Sequence, residues 1–147
     1  MSVVRRLDHV AVAVRDTEQA LQTFRDRFGL EVVHSEELET PRVRLTYIDC
    51  GNAYLQVVEP LGPDVELARW IDQNGEGLHH VCFGVDDAIA GAEALAPADA
   101  PSPVRGTGRG RVSAFVPGDP AHGVRIECTE FNRLEDVDSS PGWLPPE

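Results

Sequence analysis

Four polar residues with metal-binding side chains are regularly spaced along the sequence. Gln56 follows His9 by 47 residues, and Glu127 follows His80 by the same interval. Two imidazoles, an amide oxygen and a carboxylate can hold a divalent transition ion and leave two octahedral positions for water or substrate. Because the set has a single carboxylate, a bound ion keeps a net positive charge and can polarise a chelating pair of oxygens. The pattern predicts an open, catalytic type of metal site.

An internal repeat accounts for this spacing. Shifting the chain by 71 residues aligns LDHVAVAVRD at 7–16 with LHHVCFGVDD at 78–87, and AYLQVVE at 53–59 with VRIECTE at 124–130. Each copy therefore carries one candidate ligand in its first run and one in its last. Self-similarity at a fixed shift indicates repeated structural units, so the sequence predicts two related modules.

Each copy is predicted to fold as a strand, a helix and then further strands. One helix is predicted from a capping box at Asp16 to a terminal Gly29, a second from Asp87 to Leu95, and a short third at 65–73. The Pro- and Gly-rich stretch 97–110 is predicted to be a loop. Alternating runs rich in β-branched residues predict seven strands, at about 7–14, 31–35, 43–49, 53–58, 79–85, 111–116 and 124–129.

Side-chain alternation predicts where the ligands point. Successive residues of a strand face opposite sides of a sheet, so His9 shares a face with Ala11 and Ala13 while valines occupy the other face. His80 likewise shares its face with a cysteine and a glycine. Small residues beside each histidine leave space. The sequence therefore predicts that the four ligands line a cavity on the hollow face of a curled sheet.

Composition excludes several classes of function. The chain has 25 acidic and 13 basic residues, and its formal net charge of −12 excludes nucleic acid and anionic membrane surfaces as partners. All the basic residues are arginine, which excludes lysine Schiff-base chemistry and a P-loop. Three cysteines without CxxC spacing, and no apolar run of signal-peptide or membrane-spanning length, predict a cytoplasmic protein.

The motifs resemble those of a known enzyme superfamily. Paired modules that each begin with an apolar strand bearing a histidine are similar to the vicinal oxygen chelate superfamily, which includes glyoxalases, bleomycin-resistance proteins and extradiol dioxygenases. Within it, the chain resembles the methylmalonyl-CoA epimerases over about residues 6–131. The runs that carry this resemblance are LDHVAVAV, YLQVVEPLGPD, NGEGLHHVCFGVDD, GTGRGRV and HGVRIECTE.

The resemblance implies a fold, a cofactor and a reaction. The implied fold is α+β, with two paired βαβββ modules forming a half-barrel around one divalent ion, most often Co²⁺, with Zn²⁺, Mn²⁺, Ni²⁺ or Fe²⁺ as alternatives. The implied ligands are His9, Gln56, His80 and Glu127. Glu127 is also the implied catalytic residue, which moves the C2 proton of an acyl-CoA thioester through a metal-stabilised enolate. The resemblance also implies a homodimer.

The domain organisation follows from the repeat. We expect one domain over residues 1–131, made of repeats at 6–60 and 77–131 that are joined by a short helical linker at 61–76. The acidic, proline-containing stretch 132–147 is predicted to be a C-terminal tail.

One position departs from the resemblance. Bacterial epimerases of this type commonly have a second glutamate where the aligned residue here is Leu45. The alternatives for a second acid/base group are metal-bound water and a loop residue such as Glu37 or Glu39. Other functions stay open on the sequence alone. They are a glyoxalase-like isomerase, an Fe(II) dioxygenase, a tailoring enzyme of secondary metabolism, and a non-catalytic drug-binding resistance protein.

Overall fold

The computed structural model describes residues 2–131, and the predicted tail at 132–147 lies outside them. No helix within 2–131 has the length and apolar character needed to cross a bilayer. The elements are β1 (Arg6–Ala13), α1 (Thr17–Leu21) continued by a π-helical segment (Gln22–Arg27), β2 (Glu31–Glu39), β3 (Arg42–Asp49), β4 (Tyr54–Pro60), α2 (Glu66–Asn74), β5 (Gly77–Val85), α3 (Ala88–Leu95), β6 (Arg105–Gly108), β7 (Arg111–Phe115) and β8 (Ile126–Glu130).

The order of elements repeats as the sequence predicts. The series β1-α1-β2-β3-β4 is followed, after α2, by β5-α3-β6-β7-β8. The pairs β2–β3, β3–β4, β6–β7 and β7–β8 are antiparallel, whereas β5 and β8 are parallel, so the strand pairing is mixed. Two βαβββ modules with mixed pairing confirm the predicted α+β class.

One strand lies where the sequence predicts a loop. β6 falls inside 97–110 and pairs with β7, with Thr107 opposite Val112. Its RGTG sequence contains two glycines and has little intrinsic strand preference. A tight turn onto β7 supplies the pairing partner, so tertiary context rather than local propensity forms this strand. The loop prediction is wrong for residues 105–108.

The chain divides into two compact units, and each is described by itself. In residues 10–79 the strand order is β2-β3-β4-β1. One face of these strands buries Val14, Ile48 and Val57 against Leu21 of α1. Val14, just after β1, and Val12 thus lie on the face opposite Ala11 and Ala13, as the predicted alternation requires.

The opposite face of the same unit is filled by apolar side chains. Ala11 and Ala13 are fully buried in a cluster with Tyr47, Tyr54 and Ile71, the last of which belongs to α2. The sequence predicts open space beside the two alanines. In this unit the tyrosines and α2 occupy that space, because small side chains let large neighbours approach closely.

The second unit comprises residues 2–9 and 80–131 of the described chain. There the first half of β1 lies beside β5, and the order continues β5-β8-β7-β6. The helix α3 packs on these strands through Ala88 and Ala92, which are buried with Val85 and Cys128. Gly91 makes the close packing possible, since an added Cβ would lie 3.1 Å from a methyl carbon of Val85.

Both module helices begin at the aspartates that the repeat identifies. The Asp16 carboxylate accepts a hydrogen bond from the backbone N–H of Gln19 at 3.1 Å, and the Asp87 carboxylate accepts one from Ala90 at 2.9 Å. Gly29, the predicted end of the first helix, has a φ of +74°, as a glycine that ends a helix requires. The capping predictions are confirmed.

We expect Asp87→Ala to lower the free energy of unfolding by about 1 kcal/mol, because the substitution leaves an N-terminal N–H of α3 without its acceptor. Asp87→Ser is the matched variant, since serine retains a capping oxygen and should recover most of the loss. Denaturant titrations of the three proteins measure the difference. Equal losses for alanine and serine would show that the cap does not stabilise the helix.

Candidate metal centre

Three of the four predicted ligands lie together in the unit formed by residues 2–9 and 80–131. His9 lies on β1, His80 on β5 and Glu127 on β8. The Oε1 atom of Glu127 is 3.4 Å from Nε2 of His9 and 3.3 Å from Nε2 of His80. One potential ligand atom from each of the three residues lies within 4.8 Å of the other two. Three of the residues that the repeat singles out therefore lie close together, although each belongs to a different strand.

The register of the strands explains why these side chains meet. β5 and β8 run parallel, with Cys82 opposite Glu127 and Val81 opposite Ile126. His80 shares the face of Cys82, so it lies on the same side of the sheet as Glu127. The imidazole rings of His9 and His80 are 5.5 Å apart between centroids and nearly perpendicular. Both nitrogens can therefore approach one carboxylate oxygen without the rings clashing.

Burial and charge oppose each other at this cluster. Burial would raise the pKa of Glu127, but the charges and hydrogen bonds of His80 and His9 outweigh burial and hold that pKa well below its usual range. Burial would likewise lower the pKa of His9, but the carboxylates of Asp8 and Glu127 raise it. For His80 burial prevails and its pKa is lowered. Glu127 is therefore ionised at neutral pH.

The arrangement fits a divalent ion. Neighbouring ligands held 2.0–2.2 Å from one ion lie about 2.8–3.1 Å apart in an octahedral site and about 3.3–3.6 Å apart in a tetrahedral one. The distances from Glu127 to His9 and His80, 3.4 and 3.3 Å, match the tetrahedral spacing and slightly exceed the octahedral one. The side chains of His9 and His80 are almost fully buried, whereas 13% of the Glu127 side chain is exposed. The donor set of two nitrogens and one oxygen suits a transition metal.

Gln56, the fourth predicted ligand, lies on β4 in the other unit. It is buried, and its side-chain amide donates a hydrogen bond to the Tyr47 hydroxyl at 2.8 Å. Its Oε1 atom is buried and has no hydrogen-bond partner among residues 2–131. A buried acceptor that no donor satisfies is costly, and coordination of a cation would satisfy it. The role of Gln56 as a ligand stays a prediction of the repeat.

The sequence analysis did not predict the two hydrogen bonds that Asp8 accepts from His9 and Arg109. Asp8, fully buried, accepts a hydrogen bond from Nδ1 of His9 at 2.6 Å, and the same Oδ2 atom accepts one from Nη2 of Arg109 at 2.5 Å. The signal was a break in the repeat: the 71-residue shift aligns Asp8 with His79, which is a different residue type. The carboxylate and the arginine therefore lie in line behind the His9 ring.

The surroundings of His80 differ from those of His9. The Phe115 ring lies 5.0 Å from the His80 ring between centroids, in an edge-to-face orientation. Cys82 is also fully buried beside the cluster, and burial raises the pKa of its thiol well above the usual value. Asp8, His9 and Cys82 form a second group whose ligand atoms lie within 4.8 Å of one another.

The position aligned with a second glutamate is apolar in the structure. Leu45 is buried on β3 in the apolar cluster around Tyr47. Glu36 on β2 lies directly opposite Leu45 in the antiparallel register, so these two side chains share a face. Glu37 and Glu39 point to the other face of β2, because the side chains of a strand alternate. On this strand, Glu36 and not the two predicted glutamates is the neighbour of Leu45.

Comparison with known proteins places the chain in a class. The family model described as the Glyoxalase/Bleomycin resistance protein/Dioxygenase superfamily matches residues 8–115. The chain belongs to this superfamily, which confirms the resemblance that the motifs indicate.

Similar proteins within the superfamily indicate which class of enzyme the chain is. The ethylmalonyl-CoA/methylmalonyl-CoA epimerase of Cereibacter sphaeroides is 32% identical over 113 residues, which cover 76% of this chain and 83% of that protein. The predicted enzyme class, an isomerase of the epimerase type, is thereby confirmed.

Solved structures agree with this assignment. A variant of Streptomyces coelicolor methylmalonyl-CoA epimerase in complex with 2-nitronate-propionyl-CoA is 30% identical, with a TM-score of 0.74 over 86% of this chain and 97% of that one. A methylmalonyl-CoA epimerase in complex with methylmalonyl-CoA and NH4⁺ is also 30% identical, with a TM-score of 0.74 over 94% and 99% of the two chains.

Proposed function

We propose that the protein epimerises a 2-substituted malonyl-CoA thioester at C2, with methylmalonyl-CoA as the specific substrate. The observation that carries this proposal is the meeting of His9, His80 and Glu127, with 3.3–3.4 Å between the carboxylate and each ring. Relatives named as methylmalonyl-CoA epimerases support the choice of substrate.

The chemistry of the substrate matches the side chains at this centre. The C2–H bond lies between a thioester and a carboxylate and is weakly acidic. When bound at His9, His80 and Glu127, a divalent ion supplies Lewis-acid stabilisation of the negative charge that develops on neighbouring oxygens. The sequence adds Gln56 as a fourth proposed ligand. Cobalt is the proposed metal, as the resemblance implies.

Glu127 is proposed to transfer the C2 proton. Its carboxylate is ionised at neutral pH, as a proton acceptor must be, and part of its side chain is exposed. The same histidine contacts that keep it ionised also make it a weak base. Proton abstraction by Glu127 therefore depends on electrostatic stabilisation of the carbanion. Inversion further requires a proton from the opposite face of C2, which usually involves a second acid/base group.

A second function is favoured by one observation. Two histidines and one carboxylate around a single point are also the ligand set of non-haem Fe(II) oxygenases. This alternative predicts iron in the purified protein and oxygen consumption with a phenolic or keto-acid substrate.

The proposal also includes a homodimer and a cytoplasmic location. The homodimer is implied by the resemblance, and the location is indicated by the cysteine pattern.

Proton NMR of one methylmalonyl-CoA epimer in deuterated buffer tests the proposed function. With Co²⁺-loaded protein we expect the C2 proton signal to disappear while the other epimer accumulates. The metal-stripped protein is the control and should do neither. Exchange without inversion would mean that Glu127 works alone in a different natural reaction. No exchange in the loaded protein would contradict the proposed substrate.

A further inference from the structure

The Asp8–Arg109 ion pair links a surface hairpin to the candidate metal centre. Arg109 and Gly110 are the two turn residues between β6 and β7, where Gly108 pairs with Arg111. The Arg109 side chain is 10% exposed and the Asp8 side chain is fully buried. An arginine at the tip of a two-residue hairpin normally extends into solvent, whereas this one lies against a buried carboxylate.

The backbone conformation of the turn disfavours arginine at its first position. Arg109 has a φ of +56° and Gly110 a φ of +71°. Two-residue turns with positive φ at both positions favour asparagine followed by glycine, since most other side chains are strained in that region. Arginine fits this turn poorly. The ion pair with Asp8 is a contact that can offset this strain.

His9 and Arg109 both donate a hydrogen bond to the same carboxylate oxygen of Asp8. Oδ2 accepts from His9 Nδ1 and from Arg109 Nη2, so the arginine fixes the carboxylate that in turn fixes the imidazole. A proton held on Nδ1 leaves the lone pair of His9 on Nε2, the atom that faces Glu127 at 3.4 Å. Carboxylates that orient a histidine in this way tune its strength as a metal ligand.

We propose that Arg109 is a positioning residue for the metal centre, acting through Asp8 to set the orientation and the protonated nitrogen of His9. The inference rests on the proposed function, since it concerns the ion that this function requires. The His80 ring lies edge-to-face against Phe115, with 5.0 Å between the ring centroids.

The test compares Arg109→Asn with Arg105→Asn by titrating metal-free protein with Co²⁺. Asparagine suits the positive φ of the turn, so Arg109→Asn removes the ion pair without straining the hairpin. Arg105 is exposed on the same hairpin and is the matched control for charge. We expect Arg109→Asn to weaken Co²⁺ binding by about 10–100-fold and to shift the visible d–d absorption of the saturated protein. Arg105→Asn should change neither property.

The spectrum separates positioning from a merely structural role, because a general loss of stability leaves the absorption of the folded, saturated protein unchanged. Arg109→Lys keeps the charge and should recover most of the affinity. If Arg109→Asn does not fold, Asp8→Asn carries the test with the same expected losses. Unchanged affinity and spectrum in the folded variant would overturn the inference. Failure of the unsubstituted protein to bind Co²⁺ would instead overturn the metal dependence on which it rests.

Discussion

Glu127→Gln is expected to reduce epimerase turnover by about 10²–10⁴-fold, the usual contribution of a positioned acid/base group. Glutamine retains the size of glutamate but cannot accept the C2 proton. It also removes the negative charge that lies between two buried histidines. The measurement is the initial rate of epimer conversion at saturating Co²⁺, so that weaker metal binding does not by itself account for the loss.

The matched control is Glu93→Gln on α3. Glu93 is exposed, belongs to the same unit and undergoes the same chemical change, so its turnover should equal that of the unsubstituted protein. A Glu127→Gln variant that keeps full turnover would remove this residue from the mechanism. A Glu127→Gln variant that exchanges the C2 proton at the normal rate but does not invert would assign Glu127 to the return of the proton.

The candidate site could be predicted because it repeats. A shift of 71 residues along the sequence aligns His9 with His80 and Gln56 with Glu127. Strand alternation then placed His80 and Glu127 on one face, which the parallel register of β5 and β8 confirms. Repetition is a strong signal because two copies of one module must satisfy the same packing requirements.

The contacts around the site could not be predicted in the same way. Asp8 and Arg109 are 101 residues apart, and their pairing follows from the position of the β6–β7 turn, which lies in a stretch that the sequence assigns to a loop. The RGTG strand forms only because β7 is available to pair with it. The space beside Ala11 and Ala13 is filled by tyrosines of β3 and β4, which are more than 30 residues away in the sequence. Local pattern contains no information on such long-range pairs.

Binding of Co²⁺ is expected to raise the melting temperature by roughly 10 °C at a concentration one hundred times the dissociation constant. An ion that binds only the folded state adds about 2.7 kcal/mol under those conditions. For a chain of this size, each kcal/mol corresponds to roughly 3–5 °C. His80→Ala should abolish the shift, because it removes one of the three ligand atoms that meet within 4.8 Å.

His79→Ala is the matched control for this measurement. His79 is adjacent on β5 but points to the opposite side of the strand, and its ring packs at 4.9 Å against Trp70 of α2. Its loss lowers the melting temperature of the metal-free protein through that contact. The shift on adding Co²⁺ should nevertheless equal that of the unsubstituted protein. The size of the ion-induced shift, not the absolute melting temperature, therefore identifies the ligand. An equal shift in His80→Ala would place the stabilising ion away from β5.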